Sequence, residues 1–344
     1  MRGDGMNDKH VPLLEVDRLA VEFDTPQGPV SPVDGLSLRV EAGETLGIVG
    51  ESGCGKSVTA LAIMGLIAGP TARVRSGAIR YRGTNLLALP PARMRQIRGD
   101  RIAMVFQDPM TSLNPVLTVG EQIAETVMLH QRVGRRAAMQ RALEMLRLVQ
   151  IAEPERRLKA YPHEMSGGMR QRVMLALALA CEPEVLIADE PTTALDVTIQ
   201  AQILGLLKDL QRRMGMAVIM ITHDLGVVAE CCDRVAVMYA GRKVEEAPVA
   251  ELFERPMHPY TRALMASMPA ANTRAARLPE IPGMVPMPGQ AGPGCAFAER
   301  CAWAVAACHA QRPLARACGE GHEAACSQLD TMAAARRETE GAMA

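Results

Sequence analysis

Aromatic side chains are scarce in this 344-residue chain: four Phe, four Tyr and one Trp, 3% of the whole. Neither sign of charge is in excess, since Lys+Arg and Asp+Glu each total 38. Without a basic stripe interleaved with aromatics, a nucleic-acid groove is not expected. Long hydrophobic runs are missing too. The longest uninterrupted apolar stretch, Val173 to Cys181, has nine residues, against the ~20 a membrane-spanning helix needs. The amino end, Met1-Arg2-Gly3-Asp4-Gly5-Met6, lacks the apolar core of a secretory signal. The expectation is a cytoplasmic chain whose nine cysteines stay reduced or bind metal.

What is present fits one sizeable α/β domain with a smaller appendage. Leu14, Val16, Leu19, Val21 and Phe23 alternate with polar residues, with a one-residue slip near Arg18; Leu36, Leu38 and Val40, then Ile79 and Tyr81, continue the pattern. These runs predict half-buried antiparallel strands. Continuous apolar runs at Ile102 to Phe106, Val185 to Ala188, Ala217 to Ile221 and Val235 to Tyr239 predict parallel strands covered on both faces. Residues 119–152 and 167–181, rich in Ala, Leu, Met, Gln and Arg, predict helices inserted between the second and third core strands. Beyond about residue 255 the composition changes. Pro256, Pro259, Pro269, Pro279, Pro282, Pro286, Pro288 and Pro293 interrupt any long element and lead into a cysteine-rich segment, which marks a domain boundary. From about Ser327 an Ala-rich helix is expected to fray.

Residues 50–57 read Gly50-Glu51-Ser52-Gly53-Cys54-Gly55-Lys56-Ser57, a complete G-x-x-x-x-G-K-[ST] phosphate loop. The apolar Thr45–Val49 before it predicts a buried strand, and the residues from Ser57 to Met64, Val58 included, predict a helix whose amino end favours anions. The glycines let successive backbone N–H groups turn inward on a phosphate. Lys56 is expected at the β- and γ-phosphates and the Ser57 hydroxyl on Mg²⁺.

Further polar groups sit where an open parallel sheet presents ligands. Strand Val185–Ala188 runs into Asp189 and Glu190, placed to hold Mg²⁺ and to polarise an attacking water; a cap for the following helix is the plainer alternative. Ser166-Gly167-Gly168-Met169 opens a helix and offers a second anion site, or an ordinary Ser cap with a Gly turn. One nucleotide has no need of two such sites from one subunit, so this one is expected to serve a nucleotide held by a partner chain. Gln107 and His223 each follow a predicted strand; alone they read as loop residues, in series with the acids as sensors of the γ-phosphate and its water.

Taken in order, Gly50 to Ser57, Gln107, Ser166 to Met169, Asp189-Glu190, Thr193-Ala194-Leu195-Asp196 and His223 resemble the ABC transporter ATPases over residues 12 to about 250. The resemblance implies a P-loop (RecA-like) parallel core sheet with an antiparallel β subdomain and an inserted α-helical subdomain at about 108–181. It also implies ATP and Mg²⁺ as ligands, Glu190 as catalytic carboxylate, Mg²⁺ held by Ser57, Gln107 and Asp189, a D-loop at Asp196, a switch at His223, and Phe23 as the ring that stacks on adenine. The tail narrows the likeness. Arg255-Pro256-Met257-His258-Pro259-Tyr260-Thr261-Arg262, Ile281-Pro282-Gly283 and Gly294-Cys295-Ala296-Phe297 to Arg300-Cys301 are similar to the C-terminal extension of the oligopeptide, dipeptide and nickel importers. Met169, where many ABC ATPases carry Gln, is usual in that subfamily. The expected partners are a second ATPase subunit, two transmembrane permeases and a substrate-binding protein acting through them, with no nucleic acid, at the cytoplasmic face of the inner membrane. A non-transport ABC ATPase of the DNA repair or translation type is the alternative; those usually fuse two ATPase domains or carry long insertions, and this chain has one phosphate loop.

Cys295, Cys301, Cys308 and Cys326, with Cys318 spare, lack the C-x-x-C hairpins of structural zinc. Four thiolates suit a 4Fe-4S cluster, which members of the subfamily carry there; zinc and free thiols stay open. The expected division is a flexible 1–11, an ATPase domain at 12–255, a Cys-rich extension at 256–326 that lacks a core large enough to order itself, and a tail at 327–344.

Overall fold

The computed structural model describes residues 11–67, 69, 71–193, 195–268, 280–287, 289 and 292–332. Ala194, Pro269, Pro279 and Pro288, with nearly all of the amino-terminal segment, lie outside that set; the helix expected from Ser327 begins at 329–332 and its remainder also lies outside.

In chain order the strands are β1 (Leu14–Thr25), β2 (Gly28–Val40), β3 (Thr45–Val49), β4 (Ala72–Tyr81), β5 (Thr84–Asn85), β6 (Ile102–Val105), β7 (Val185–Asp189), β8 (Ala217–Thr222), β9 (Arg234–Tyr239), β10 (Arg242–Pro248), β11 (Arg316–Gly319) and β12 (His322–Ala324). Two sheets form: a small one ordered β2-β1-β4-β5, and a large one ordered β11-β12-β10-β9-β3-β8-β7-β6. The small sheet is antiparallel. Its slip is real: Val16 faces Leu38 and Leu19 faces Leu36, so β1 carries one extra residue and Arg18 takes φ 45°. Gly77 on β4 crosses beneath, where a Cβ would lie 2.5 Å from the Arg18 carbonyl oxygen.

Strands β6, β7, β8, β3 and β9 are parallel. Alternation along β7 explains why its run is apolar throughout: Leu186 and Ala188 join one core, Val185 and Ile187 the other. The first core is closed by helices Val119–Gln131, Arg135–Leu148, Gly167–Leu179 and Val197–Met214, the second by helix Lys56–Ile63 and the small sheet. Each fully buried Leu, Ile or Val contributes roughly 1.5–3 kcal/mol. The stretch expected to be helical over 119–152 is broken at Arg132, which is left-handed (φ 55°), before Gly134 caps the next helix.

The tail joins the same body. β12 pairs with β10 (Glu245 opposite Ala324), so β11 and β12 extend the large sheet. Tyr260 and Phe297 share a core with Val49, Val235, Val237 and Tyr239. The segment beyond 256 therefore orders itself on a core it shares with the sheet. Glu245, buried, accepts hydrogen bonds from the Met257 and His258 amides (2.6 and 2.8 Å) and lies 2.8 Å from His322 Nε2, which fastens the same junction.

Candidate active site

The carboxyl ends of β3, β6, β7 and β8 lie along one edge of the large sheet, and each delivers an expected group. After β3 the chain turns through Gly50 (φ 155°) and Gly55 (φ 100°) into helix Lys56–Ile63. Neither glycine tolerates a side chain: a Cβ would lie 2.2 Å from the Met238 carbonyl oxygen at Gly50 and 2.2 Å from that of Pro32 at Gly55. Ser52 and Gly53 are exposed at the crown of the loop, Cys54 is buried beneath it, and Val58 packs half-buried on the core. Burial pushes the Cys54 thiol up, so it is a packing group. Lys56 is 6% exposed, and its Nζ donates to the carbonyls of Gly50 (2.7 Å) and Glu51 (3.1 Å).

Across the loop Ser57 Oγ donates to Asp189 Oδ1 at 3.1 Å. Burial raises the Asp189 carboxyl above the usual range and Glu190 adds to that, while Ser57 and Lys56 oppose it. A hydroxyl and a buried carboxylate in contact, beside a lysine, are hard oxygen donors of the kind Mg²⁺ takes. Glu190 sits at φ 46°, a left-handed conformation rare for a non-glycine residue, with its N–H held by the Ile221 carbonyl at 2.9 Å. Its carboxylate gathers the remaining strand-end groups. Gln107 Nε2 donates at 3.1 Å, Thr193 Oγ1 donates at 2.9 Å, and His223 Nδ1 lies 3.1 Å away. Burial alone would raise the Glu190 carboxyl, but His223, Thr193 and the Lys56 charge outweigh it and hold the group below the usual carboxylate range. Thr193, one turn beyond Glu190, was legible only as part of the Thr193-to-Asp196 motif; its bond to Glu190 needs the turn geometry.

Ser166 and Asp196 lie on the surface. Each caps a helix: Ser166 Oγ accepts from the Met169 amide at 3.4 Å and Asp196 Oδ1 from the Ile199 amide at 2.9 Å. Gly167 is exposed; a Cβ on Gly168 would lie 2.8 Å from Ile199 Cγ2, so that glycine lets the two helices meet. Among the described residues no hydrogen bond links Ser166 to Glu190. Phe23, opposite Val30 and Ala72 in the small sheet, is half-buried against the core that also holds Val58.

Sequence comparison decides the family. The chain is 60% identical, over 91% of its length and 94% of the relative's, to a probable peptide ABC transporter ATP-binding protein of Sinorhizobium fredii. It belongs to the ABC transporter family. The family model described as ABC transporter matches residues 33–193 of this ATPase, and that described as oligopeptide/dipeptide transporter, C-terminal region, matches 244–308. The dipeptide transport protein DppD and the oligopeptide transport protein AppD of Bacillus subtilis are 49% and 48% identical, covering 93% and 88% of this chain and 96% and 92% of their own. Among solved structures, a dimeric ATP-binding cassette in a post-hydrolysis state bound to ADP and Pi superposes with a TM-score of 0.62 at 28% identity, covering 69% of this chain and 98% of that one. Like its family the ATPase uses ATP and Mg²⁺. Among the described residues no helix is long and apolar enough to cross a membrane.

The four cysteines expected to hold a cluster line one small cavity with His258 and Phe297. The Cys295 amide donates to the Cys308 carbonyl at 2.7 Å, and burial raises the thiols of Cys295, Cys301 and Cys326, the last to about 11. Cys318 is not in the cavity wall. Among the described residues no group of three or more His, Cys, Asp or Glu side chains is set to hold a metal ion, so no preformed metal centre supports the expected cluster.

Proposed function

We propose that this ATPase is the ATP-hydrolysing subunit of a peptide-type importer, working at the cytoplasmic face of the membrane with a second ATPase subunit, two permeases and a substrate-binding protein. The observation that carries this reading is the pairing, in one chain, of the Lys56–Ser57–Asp189–Glu190 edge with the oligopeptide/dipeptide C-terminal region. The C-terminal region favours transport over the non-transport alternative. The division into an ATPase domain at 12–255 with its helical insertion and an extension at 256–326 belongs to the same proposal.

In this reading Lys56 leaves the loop carbonyls for the β- and γ-phosphates, and Ser57 and Asp189, with Gln107 as the third candidate ligand, would hold Mg²⁺, which would offset phosphate charge. Glu190 takes a proton from the water that attacks the γ-phosphorus, as the new P–O bond forms and the bond to ADP breaks. Gln107, Thr193 and His223 hold the carboxylate for that task, and Phe23 stacks on adenine. Ser166-Gly167-Gly168-Met169, exposed at Ser166 and Gly167, and the exposed Asp196 face the nucleotide of the partner subunit. ATP then favours the closed pair of subunits over the open one, and hydrolysis reverses the preference. Purification from membranes tests this: permease subunits and a peptide-binding protein should accompany the chain, and peptide-loaded binding protein should stimulate its ATPase. Turnover unchanged by any permease, with none retained, refutes it.

For the cysteines we propose a 4Fe-4S cluster with a structural role. That all four expected cysteines line one cavity is what supports it. Loading must release protons, since burial favours the neutral thiols.

A further inference from the structure

The extension carries a second feature, aimed at the phosphate loop. Arg300, between Phe297 and Cys301, has a side chain only 6% exposed, and all five of its N–H donors are engaged. Nη1 and Nη2 take the two carboxylate oxygens of Glu51 at 2.9 and 3.2 Å; the others reach the Tyr239 hydroxyl (3.1 Å) and the carbonyls of Pro282 (2.8 Å) and Ile281 (3.3 Å). Glu51 is the second residue of the phosphate loop. Its amide is engaged as well, donating to the Tyr260 hydroxyl at 2.9 Å. Two pieces of the tail thus meet on one loop residue, Tyr260 from the His-Pro-Tyr-Thr segment and Arg300 beside Cys301, and a third, the carbonyls of Ile281-Pro282, holds Arg300 in place. Tyr239, Tyr260 and Phe297 pack around them in tilted and edge-on contacts, with ring centroids 4.6, 5.2 and 5.4 Å apart.

The chemistry asks for such a device. Glu51 puts a negative charge into a loop built for anions, and an unneutralised carboxylate there opposes the phosphates of ATP. A bidentate guanidinium cancels that charge and fixes its direction. We propose that Arg300 and Tyr260 are positioning residues for nucleotide binding: they hold Glu51 turned away from the phosphate site and neutralised, so that the C-terminal extension sets the ATP affinity of the loop. This rests on the nucleotide-binding reading above.

The test is MgATP binding by calorimetry to the full chain, with thermal unfolding measured in parallel. Arg300→Met, which keeps the length and removes the charge, should weaken binding about tenfold or more. Adding Glu51→Gln to Arg300→Met should recover most of that loss, because the orphaned charge is gone; a purely structural role would make the double variant no better than the single. Tyr260→Phe keeps the ring in its cluster and leaves the Glu51 amide without its acceptor, and should cost about three- to tenfold. If Arg300→Met does not fold, Tyr260→Phe decides. Binding equal to wild type in Arg300→Met or in Tyr260→Phe, or no recovery in the double variant, overturns the clamp. Failure of the wild-type chain to bind MgATP would count instead against the nucleotide reading itself.

Discussion

Replacing Glu190 by Gln separates chemistry from architecture at the centre of the site. The carboxylate has two acceptor oxygens with distinct duties: Oε2 accepts from Gln107 and Thr193, and Oε1 faces His223 Nδ1. An amide can reproduce this arrangement. Its oxygen at the Oε2 position keeps both donors, and its NH₂ at the other position donates to Nδ1 once the imidazole proton sits on Nε2. The backbone at φ 46° is unaltered, so folding should be nearly unaffected. The amide has no basicity, however, and loses what a positioned general base contributes, about 10²- to 10⁴-fold in rate, or roughly 2.7–5.4 kcal/mol of barrier. Phosphate release should fall by that factor, while size-exclusion chromatography with MgATP should show dimerisation that persists or strengthens, because bound ATP is no longer consumed. Turnover within a few-fold of wild type would mean that another group accepts the proton. Loss of ATP binding would mean that Glu190 is there to hold the strand end together.

Other substitutions probe separate parts of the molecule. Lys56→Ala removes the main positive charge at the loop, so MgATP affinity should fall roughly 10- to 100-fold and turnover should vanish; near-normal turnover refutes the loop assignment. Ser166→Arg should leave MgATP binding to the isolated subunit intact yet abolish hydrolysis by the assembled pair, at a cost of about 1 kcal/mol for the lost cap; lost binding in the isolated subunit would point to a folding role. Gly120→Ala places a Cβ 2.6 Å from the Leu158 carbonyl oxygen and 2.7 Å from its Cγ, so overpacking should destabilise by about 1–3 kcal/mol, seen as a melting temperature several degrees lower, and an unchanged melt would mean that the helical insertion gives way easily. Anaerobically purified protein should be brown with about four iron and four sulfide per chain, and Cys301→Ser should be colourless and less stable yet still bind MgATP; colourless wild-type protein refutes the cluster.

Much of the site was legible because its signals are local. A phosphate loop is contiguous, and the strand-end groups Gln107, Asp189-Glu190 and His223 follow apolar runs whose two-faced burial makes them unmistakable as inner strands. The slip at Arg18 was legible for a related reason: a period-2 pattern shows an inserted residue at once. The break at Arg132 was not, since good helix formers flank it and only Gly134 marks the turn. β11 is Arg316-Ala317-Cys318-Gly319, with no β-branched residue; it is a strand because β12 offers it an edge. The left-handed φ of Glu190 leaves no trace in a residue type that normally avoids it.

How the extension becomes ordered was not legible, for a physical reason that its composition conceals. Proline-rich and poor in apolar runs, it has little core of its own, yet three of the chain's nine aromatics, counting four Phe, four Tyr and one Trp, meet where it joins the sheet: Tyr239 from β9, and Tyr260 and Phe297 from the tail. Rings of that size bury ~150–250 Å² each, so a chain that rarely uses aromatics places much of their stabilisation at this junction. Phe297 lies between Cys295 and Arg300 in sequence and against Tyr239 and Tyr260 in space. The same ring lines the cysteine cavity and lies under the Arg300 guanidinium that holds Glu51. The phosphate loop and the cysteine-rich tail, separated by more than two hundred residues, meet through Phe297, Arg300 and Glu51, and this junction is where a segment with little core of its own gains its order.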